Sequence, residues 1–175
     1  MQNIEIKYHL NSCRYIKQKL NDHPEIRFAE QIYQRDVYFN VSDGRLKIRF
    51  QEGKPTQLIH YVRPDSDTPR ISNYTIEELP NPLAKVAEFQ KAYGILDQVE
   101  KWRELYFFRN VRIHLDNVTH LGWFIEFESV IDENTSRREA QENLEDILEY
   151  LSACLTRPVT VSYINLMLEK KQDNA

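Results

Sequence analysis

Apolar and polar residues alternate along several short segments of the chain. Residues 3–7 read NIEIK, and the same two-residue period recurs at 45–50, 111–116 and 123–128. Successive side chains of a strand point to opposite faces, so this pattern predicts β-strands with one apolar face and one charged face. Further strands are expected at 27–41, 58–63, 74–78, 95–103 and 105–109.

Segments with a helical period separate the strands. Helices are predicted from Asn11 or Ser12 to Asn21, from Pro82 to Gly94, and from a cap at Thr135 or Ser136 through an apolar stripe that reaches Leu155. A last helix is predicted over 162–169, followed by a frayed polar tail from about 170. The segment 64–73 contains two prolines and is expected to be a loop.

The polar faces of the strands are almost purely ionic. Carboxylates occupy two strands, and cations occupy four others. The ordinary interpretation is the wet side of an antiparallel sheet. The alternative is an α+β fold whose sheet curls into a barrel with the charges inside. Such an interior requires a counterion for its surplus cations, and a triphosphate with a divalent metal suits it.

Length, charge and composition narrow the function classes. A chain of 175 residues is long enough for one domain with its own core. Its formal net charge of −4 argues against bulk binding of nucleic acid. No run approaches about 18 apolar residues and no signal-peptide core is visible, so neither membrane nor secretion is expected, and a cytoplasmic location is predicted. The two cysteines lack metal spacing, and with only 4 glycines phosphate binding must come from side chains.

A series of motifs, in order along the chain, resembles the CYTH superfamily of triphosphate tunnel metalloenzymes. NIEIK is similar to the ExExK motif of that family; then follow GRLKIRF, YVRPD, VEKWRELY, VRIHLDN, GWFIEFE and the closing SYINLML. The resemblance covers nearly all of the single domain, 1–175. It implies an antiparallel, eight-stranded closed barrel with helices packed outside. It also implies a small-molecule triphosphate substrate, Mg²⁺ or Mn²⁺ as cofactor and, with the chain's size, a homodimer.

The resemblance carries functional roles to individual positions. It implies that Glu5, Glu126 and Glu128 hold the metal and, together with Lys7, form the catalytic set. The phosphate-binding set would be Lys7, Lys47, Arg49, Arg63, Lys101, Arg103 and Arg112. Asn3, His114 and Asp116 are supporting candidates. Asp116 would orient a cation or water, and His114 would carry a proton or, as we favour, make structural hydrogen bonds.

Departures from the family pattern keep several functions open. Asn3 stands where the family has its first Glu, which leaves the number of metals undecided. Lys47 stands where the family often has Arg, so a bidentate guanidinium is replaced by a single ammonium charge. We predict a metal-dependent phosphohydrolase that acts on tripolyphosphate, a nucleoside triphosphate or thiamine triphosphate. The alternatives are a class IV adenylate cyclase, which forms cyclic AMP and pyrophosphate, and a module that binds polyphosphate or nucleotide without turnover.

Overall fold

The structure, a computed structural model, describes all 175 residues. The strands are β1 (Gln2–Leu10), β2 (Ile26–Phe39), β3 (Arg45–Gln51), β4 (Lys54–Val62), β5 (Arg70–Glu78), β6 (Ile95–Phe108), β7 (Val111–Val118), β8 (Gly122–Ile131) and the short β9 (Arg157–Pro158). The α-helices are α1 (Arg14–Asp22), α2 (Pro82–Tyr93), α3 (Arg137–Leu151) and α4 (Tyr163–Asp173). No helix is both long and apolar enough to span a membrane.

Eight strands form a closed antiparallel barrel. Their order is β5–β4–β3–β2–β6–β7–β8–β1, and β1 also pairs with β5, which closes the sheet. Glu5 on β1 lies opposite Glu128 on β8 and Arg70 on β5. The predicted eight-stranded barrel with external helices is therefore confirmed, and β9 adds only two residues at the edge of β1.

Several predicted element boundaries were wrong. β6 runs unbroken through Glu104, because this residue keeps its pairing with both β2 and β7 while its side chain accepts hydrogen bonds outside the barrel from Lys17 and Tyr106. The expected loop at 64–73 contains the start of β5, which pairs with β1. Helix α3 ends at Leu151 in a 3₁₀ turn, and α4 continues to Asp173 through the segment predicted to fray.

The main hydrophobic core lies between the outside of the barrel and two helices. The apolar stripe of α3 (Ala140, Leu144, Ile147 and Leu151) packs on the outward faces of β1, β7 and β8 together with α1. A smaller cluster places α2 on β2 and β3. In both clusters the strands contribute the apolar side chains that alternate with the charged ones. The charged side chains of these strands therefore point into the interior of the barrel.

Shortening a side chain in this core should destabilise the fold without touching the interior. Leu144 is 1% exposed, so we expect Leu144→Ala to lower the free energy of unfolding by about 3 kcal/mol through lost burial and a cavity. Urea denaturation measures this loss. Leu83 on α2 is 75% exposed, so Leu83→Ala is the matched control and should change stability by less than about 0.5 kcal/mol. Equal losses in the two variants would contradict the packing described here.

Helix α4 supplies side chains to one end of the barrel interior. Tyr163 and Ile164 pack with Tyr38, Val99 and Phe124, which come from β2, β6 and β8. This apolar cluster lies at the end where β1, β2, β4 and β7 terminate. The rest of the interior remains a cavity, and its opposite end is rimmed by the exposed Lys54 at the start of β4.

Candidate active site

A cavity of about 360 Å³ occupies the barrel interior. It brings together twelve of the thirteen residues singled out in the sequence: Asn3, Glu5, Lys7, Lys47, Arg49, Arg63, Lys101, Arg103, Arg112, His114, Glu126 and Glu128. The thirteenth, Asp116, lies fully buried behind Arg103. A second cavity of about 280 Å³ adjoins the first and shares Tyr61, Arg63 and Ser162 with it.

The charged face of β1 is buried and lines this cavity. Glu5 and Lys7 are 5% and 3% exposed, while Ile4 and Ile6 on the other face belong to the external core. Lys7 Nζ lies 3.3 Å from Glu126 Oε1 and 3.8 Å from the centre of the Tyr163 ring. The alternation in NIEIK therefore places its apolar side chains under the helices and its charged side chains in the barrel interior, and neither face is exposed to bulk solvent.

Asp36 organises the cationic wall formed by β2, β3 and β6. Its carboxylate accepts two hydrogen bonds from Arg49, at 2.7 and 2.8 Å, one from Lys47 at 2.8 Å and one from Lys101 at 3.1 Å. Burial alone would raise the pKa of Asp36, but the charges of Arg49, Lys101 and Lys47 hold this pKa well below its ordinary value. Arg49 and Lys47 alone exceed the single negative charge of Asp36, so this wall stays cationic towards a ligand, although burial lowers the pKa of Lys101 well below its ordinary value.

Asp116 fixes another cation in the same way. It accepts two hydrogen bonds of 2.7 Å from Arg103 and one of 2.8 Å from the hydroxyl of Tyr163. Burial opposes ionisation of Asp116, yet the guanidinium of Arg103 lowers its pKa to about 2. The bidentate contact orients the Arg103 side chain, whose Nη2 also lies 3.7 Å from Glu126.

A group of metal-ligand types lies on β7 and β8. His114, Glu126 and Glu128 each offer one ligand atom, and these atoms lie within 4.8 Å of one another. The Nδ1 atom of His114 is 3.5 Å from Glu126 Oε2 and 3.9 Å from Glu128 Oε1. Burial and the nearby Arg103 lower the pKa of His114, which favours the neutral imidazole that metals bind.

Glu5 approaches this group from β1 but has its own cationic partner. Its Oε1 lies 2.8 Å from Arg63 Nε and 3.9 Å from Arg70 Nε. Burial, reinforced by the charges of Glu126 and Glu128, raises the pKa of Glu5 to about 7. The group of metal-ligand types in the structure thus combines Glu126 and Glu128 with His114, whereas the family resemblance implied Glu5 as the third ligand.

The donor set fits a divalent cation. Carboxylate oxygens are the ligands that Mg²⁺ and Mn²⁺ prefer, and Mn²⁺ also accepts imidazole. Three adjacent carboxylates repel one another, and a divalent ion would relieve that repulsion. In addition, Asn3 lies two residues from Glu5 on the same face of β1, and its Oδ1 is buried without a hydrogen-bond partner. Buried acceptors are nearly always satisfied, so an acceptor at this place is compatible with a water bound to the metal.

The sequence analysis did not single out three residues that shape this site: Asp36, Tyr163 and Arg70. Asp36 lies in a strand with apolar residues on both faces, so no alternation marks it as inward. Tyr163 reaches the cavity from a helix, which strand periodicity cannot reveal. Arg70 stands in the segment expected to be a loop, although the side chain is buried beside Glu5.

Comparison with known proteins agrees with this architecture. A model of the CYTH domain family matches residues 1–158. A Methanocaldococcus jannaschii protein that carries the provisional name adenylate cyclase is 25% identical over 175 residues, which cover 95% of this chain and 98% of that protein.

Solved structures share the fold. The PH1012 protein of Pyrococcus horikoshii superimposes with a TM-score of 0.81 at 24% identity, over 94% of this chain and 98% of that one. A Vibrio parahaemolyticus protein, also provisionally named adenylate cyclase, gives 0.67 at 14% identity, over 94% and 97% of the two chains. The family whose model matches comprises divalent-metal-dependent triphosphatases and class IV adenylate cyclases. By its matched residues and its closed barrel, the chain belongs to the CYTH family.

Proposed function

We propose that this protein is a phosphohydrolase that cleaves triphosphate compounds with the help of Mg²⁺ or Mn²⁺. The observation that supports this most strongly is the division of one cavity into two walls. Carboxylates and an imidazole converge on β7 and β8, while Lys47, Arg49 and Lys101 gather on Asp36. A ligand that fills the space between these walls must be anionic on one side and bind a cation on the other. A metal-bound triphosphate meets both demands.

The residues of the cavity divide the catalytic work. Glu126, Glu128 and His114 would hold the metal with Glu5 beside them, and the bound ion would polarise a phosphoryl oxygen and activate water. Arg49 and Arg103 are already fixed by Asp36 and Asp116, so they meet the charge that spreads over the phosphoryl oxygens without reorganising. Lys7 and Arg112 flank the metal wall and are placed to contact the phosphates from that side.

A phosphate-release assay tests the proposal. Tripolyphosphate, ATP and thiamine triphosphate are offered in parallel with Mg²⁺ or Mn²⁺, and chelation by EDTA is the control. Release of phosphate that needs the metal supports a triphosphatase. Binding of tripolyphosphate with no turnover under any of these conditions would overturn the proposal in favour of a module that only binds.

A class IV adenylate cyclase is the second candidate, and the provisional names of the relatives from Methanocaldococcus jannaschii and Vibrio parahaemolyticus favour it. The same metal and cations would serve, but the ribose 3′-hydroxyl would attack the α-phosphorus. Chromatography of the ATP reaction separates the two candidates. ADP and phosphate identify the hydrolase, whereas cyclic AMP and pyrophosphate identify the cyclase.

Anion binding should depend on pH through Lys47. Burial, followed by the charge of Arg49, lowers the pKa of Lys47 to about 8, and a bound anion would raise it again. Above pH 8 the anion must therefore bind together with a proton. We expect the affinity for tripolyphosphate to fall by up to about tenfold per pH unit there.

Calorimetric titrations between pH 7 and 9.5 measure this dependence. Lys47→Arg is the matched variant, because arginine keeps its proton throughout this range. The ligand's own titration is common to both proteins and cancels in the ratio of their affinities. A ratio that stays constant with pH would contradict the assignment of this proton to Lys47.

A further inference from the structure

Two lysine amines share one carboxylate oxygen in the cationic wall. Nζ of Lys47 lies 2.8 Å from Oδ2 of Asp36, and Nζ of Lys101 lies 3.1 Å from the same atom. Arg49 donates hydrogen bonds to both oxygens of this carboxylate. One negative charge therefore serves three basic groups. Under such crowding a lysine loses its proton far more readily than an arginine does.

Lys47 is the lysine of this pair that is better placed to react. It is 7% exposed, whereas Lys101 is 1% exposed, and both line the cavity. With its pKa lowered to about 8 by burial and then by Arg49, Lys47 is neutral in about a fifth of the molecules at pH 7.4. A lysine with the ordinary pKa of about 10.4 is neutral in only about one molecule in a thousand there. A desolvated amine beside another cation is an activated nucleophile.

The hydrogen bonds of Lys47 leave its lone pair free. A neutral amine has two N–H groups, and Nζ of Lys47 has two acceptors, Oδ2 of Asp36 at 2.8 Å and the hydroxyl of Tyr38 at 3.3 Å. The ring centres of Tyr38 and Tyr61 lie 5.3 and 5.6 Å from Nζ, so aromatic side chains border the amine on two sides. Once neutral, the nitrogen is therefore held in place with its lone pair available to an electrophile in the cavity.

The neighbouring arginines specify the class of electrophile. Arg49 and Arg103 each use Nε and Nη2 to bind a carboxylate, so Nη1 of each remains for a ligand. Both guanidinium groups stay charged when Lys47 is neutral, so they hold a phosphoryl group beside the amine. In an acyl phosphate a single oxygen separates the carbonyl carbon from phosphorus. Binding of its phosphoryl group therefore brings that carbon to Lys47.

We propose that Lys47 is an acylation site that takes its acyl group from acyl phosphates. The nitrogen of neutral Lys47 attacks the carbonyl carbon, a C–N bond forms, and the C–O bond to the phosphate breaks. The departing phosphate takes the proton from nitrogen and leaves as HPO₄²⁻, with its charge stabilised by Arg49 and Arg103. The amide product is uncharged, so the acylated wall holds polyphosphate less tightly. This site goes beyond the proposed function, because it needs neither a metal nor turnover of a triphosphate.

The test incubates the purified protein with acetyl phosphate and EDTA, and peptide mass spectrometry measures the rate of acetylation at each lysine. EDTA prevents metal-dependent hydrolysis of the reagent. We expect Lys47 to be acetylated at least about tenfold faster than Lys91, an exposed lysine on α2. Tripolyphosphate should slow the reaction of Lys47 and leave that of Lys91 unchanged. The rate at Lys47 should also level off above about pH 8.

N-acetoxysuccinimide is the matched reagent, because it donates the same acetyl group without a phosphate. Its preference for Lys47 over Lys91 should be weaker by about tenfold, since the arginines do not bind it. Labelling of Lys47 by acetyl phosphate no faster than that of Lys91 would overturn the proposal. Equal preferences with the two reagents would overturn it as well, because the phosphoryl group would then play no part. Faster labelling of Lys101 than of Lys47 would show that the wrong lysine was chosen.

Calorimetry with tripolyphosphate before and after acetylation measures the effect on the wall. The wild-type protein should lose affinity in proportion to the acetylated fraction of Lys47. Lys47→Arg is the matched control, because arginine is not acylated under these conditions, and its affinity should not change during the treatment. The same loss in both proteins would assign the effect to another lysine and contradict the role given to Lys47.

Discussion

Replacing Glu126 and Glu128 together by glutamine is expected to lower the turnover of triphosphate by about a thousandfold or more. The two carboxylates supply the negative charge of the proposed metal site, and with His114 alone the site would no longer hold a divalent ion. A metal contributes several kcal/mol to a phosphoryl-transfer transition state, which corresponds to a change of this size. The phosphate-release assay at saturating metal measures the effect.

Two controls separate loss of chemistry from loss of fold. Circular dichroism should show the same barrel, because glutamine has nearly the shape of glutamate. Glu142→Gln on α3 changes the same residue type at an exposed position and should leave turnover unchanged. Turnover of the double variant near the wild-type rate would show that the metal does not bind at β8.

Removing the charge of Asp36 should produce the largest loss of stability. Asp36 is fully buried among Lys47, Arg49 and Lys101, so Asp36→Asn leaves these buried basic side chains without their common counterion. Breaking a buried ion pair by removing one partner commonly lowers the free energy of unfolding by about 3–5 kcal/mol. Urea denaturation without ligand measures this loss, and Asp22→Asn at an exposed position of α1 is the matched control.

The same variant should respond unusually to ligand. A bound polyphosphate would replace Asp36 as counterion, so tripolyphosphate should raise the melting temperature of Asp36→Asn more than that of the wild-type protein. A smaller rise in the variant would mean that the anion does not reach these cations. That result would place the phosphates elsewhere in the barrel.

Strand alternation made most of the cavity predictable from the sequence. Residues such as Arg112 and His114 stand in strict alternation with apolar neighbours, so their shared face can be read directly. The closure of the barrel could not be read in this way, because it depends on pairing between β1 and β5, which lie about 70 residues apart in the chain. The resemblance to a known family supplied that closure.

The parts that escaped prediction depend on distant contacts. Asp36 is followed in the chain by Val37, Tyr38 and Phe39. All three are buried, because α2 packs on one face of this strand and α4 packs on the other. Periodicity disappears when both faces of a strand are covered. The role of Tyr163 follows only from its hydrogen bond to Asp116, 47 positions earlier in the chain.

None of the four glycines lines the 360 Å³ cavity; the proposed contacts to phosphate come from side chains on four strands, β1, β3, β6 and β7. A site built from a glycine-rich loop ties its ligand to one backbone shape, so most substitutions there disturb the whole loop. In this barrel each contact belongs to a separate side chain on a shared frame, and evolution can exchange one contact while the frame persists. A frame of this kind is compatible with a family that includes both hydrolases and cyclases.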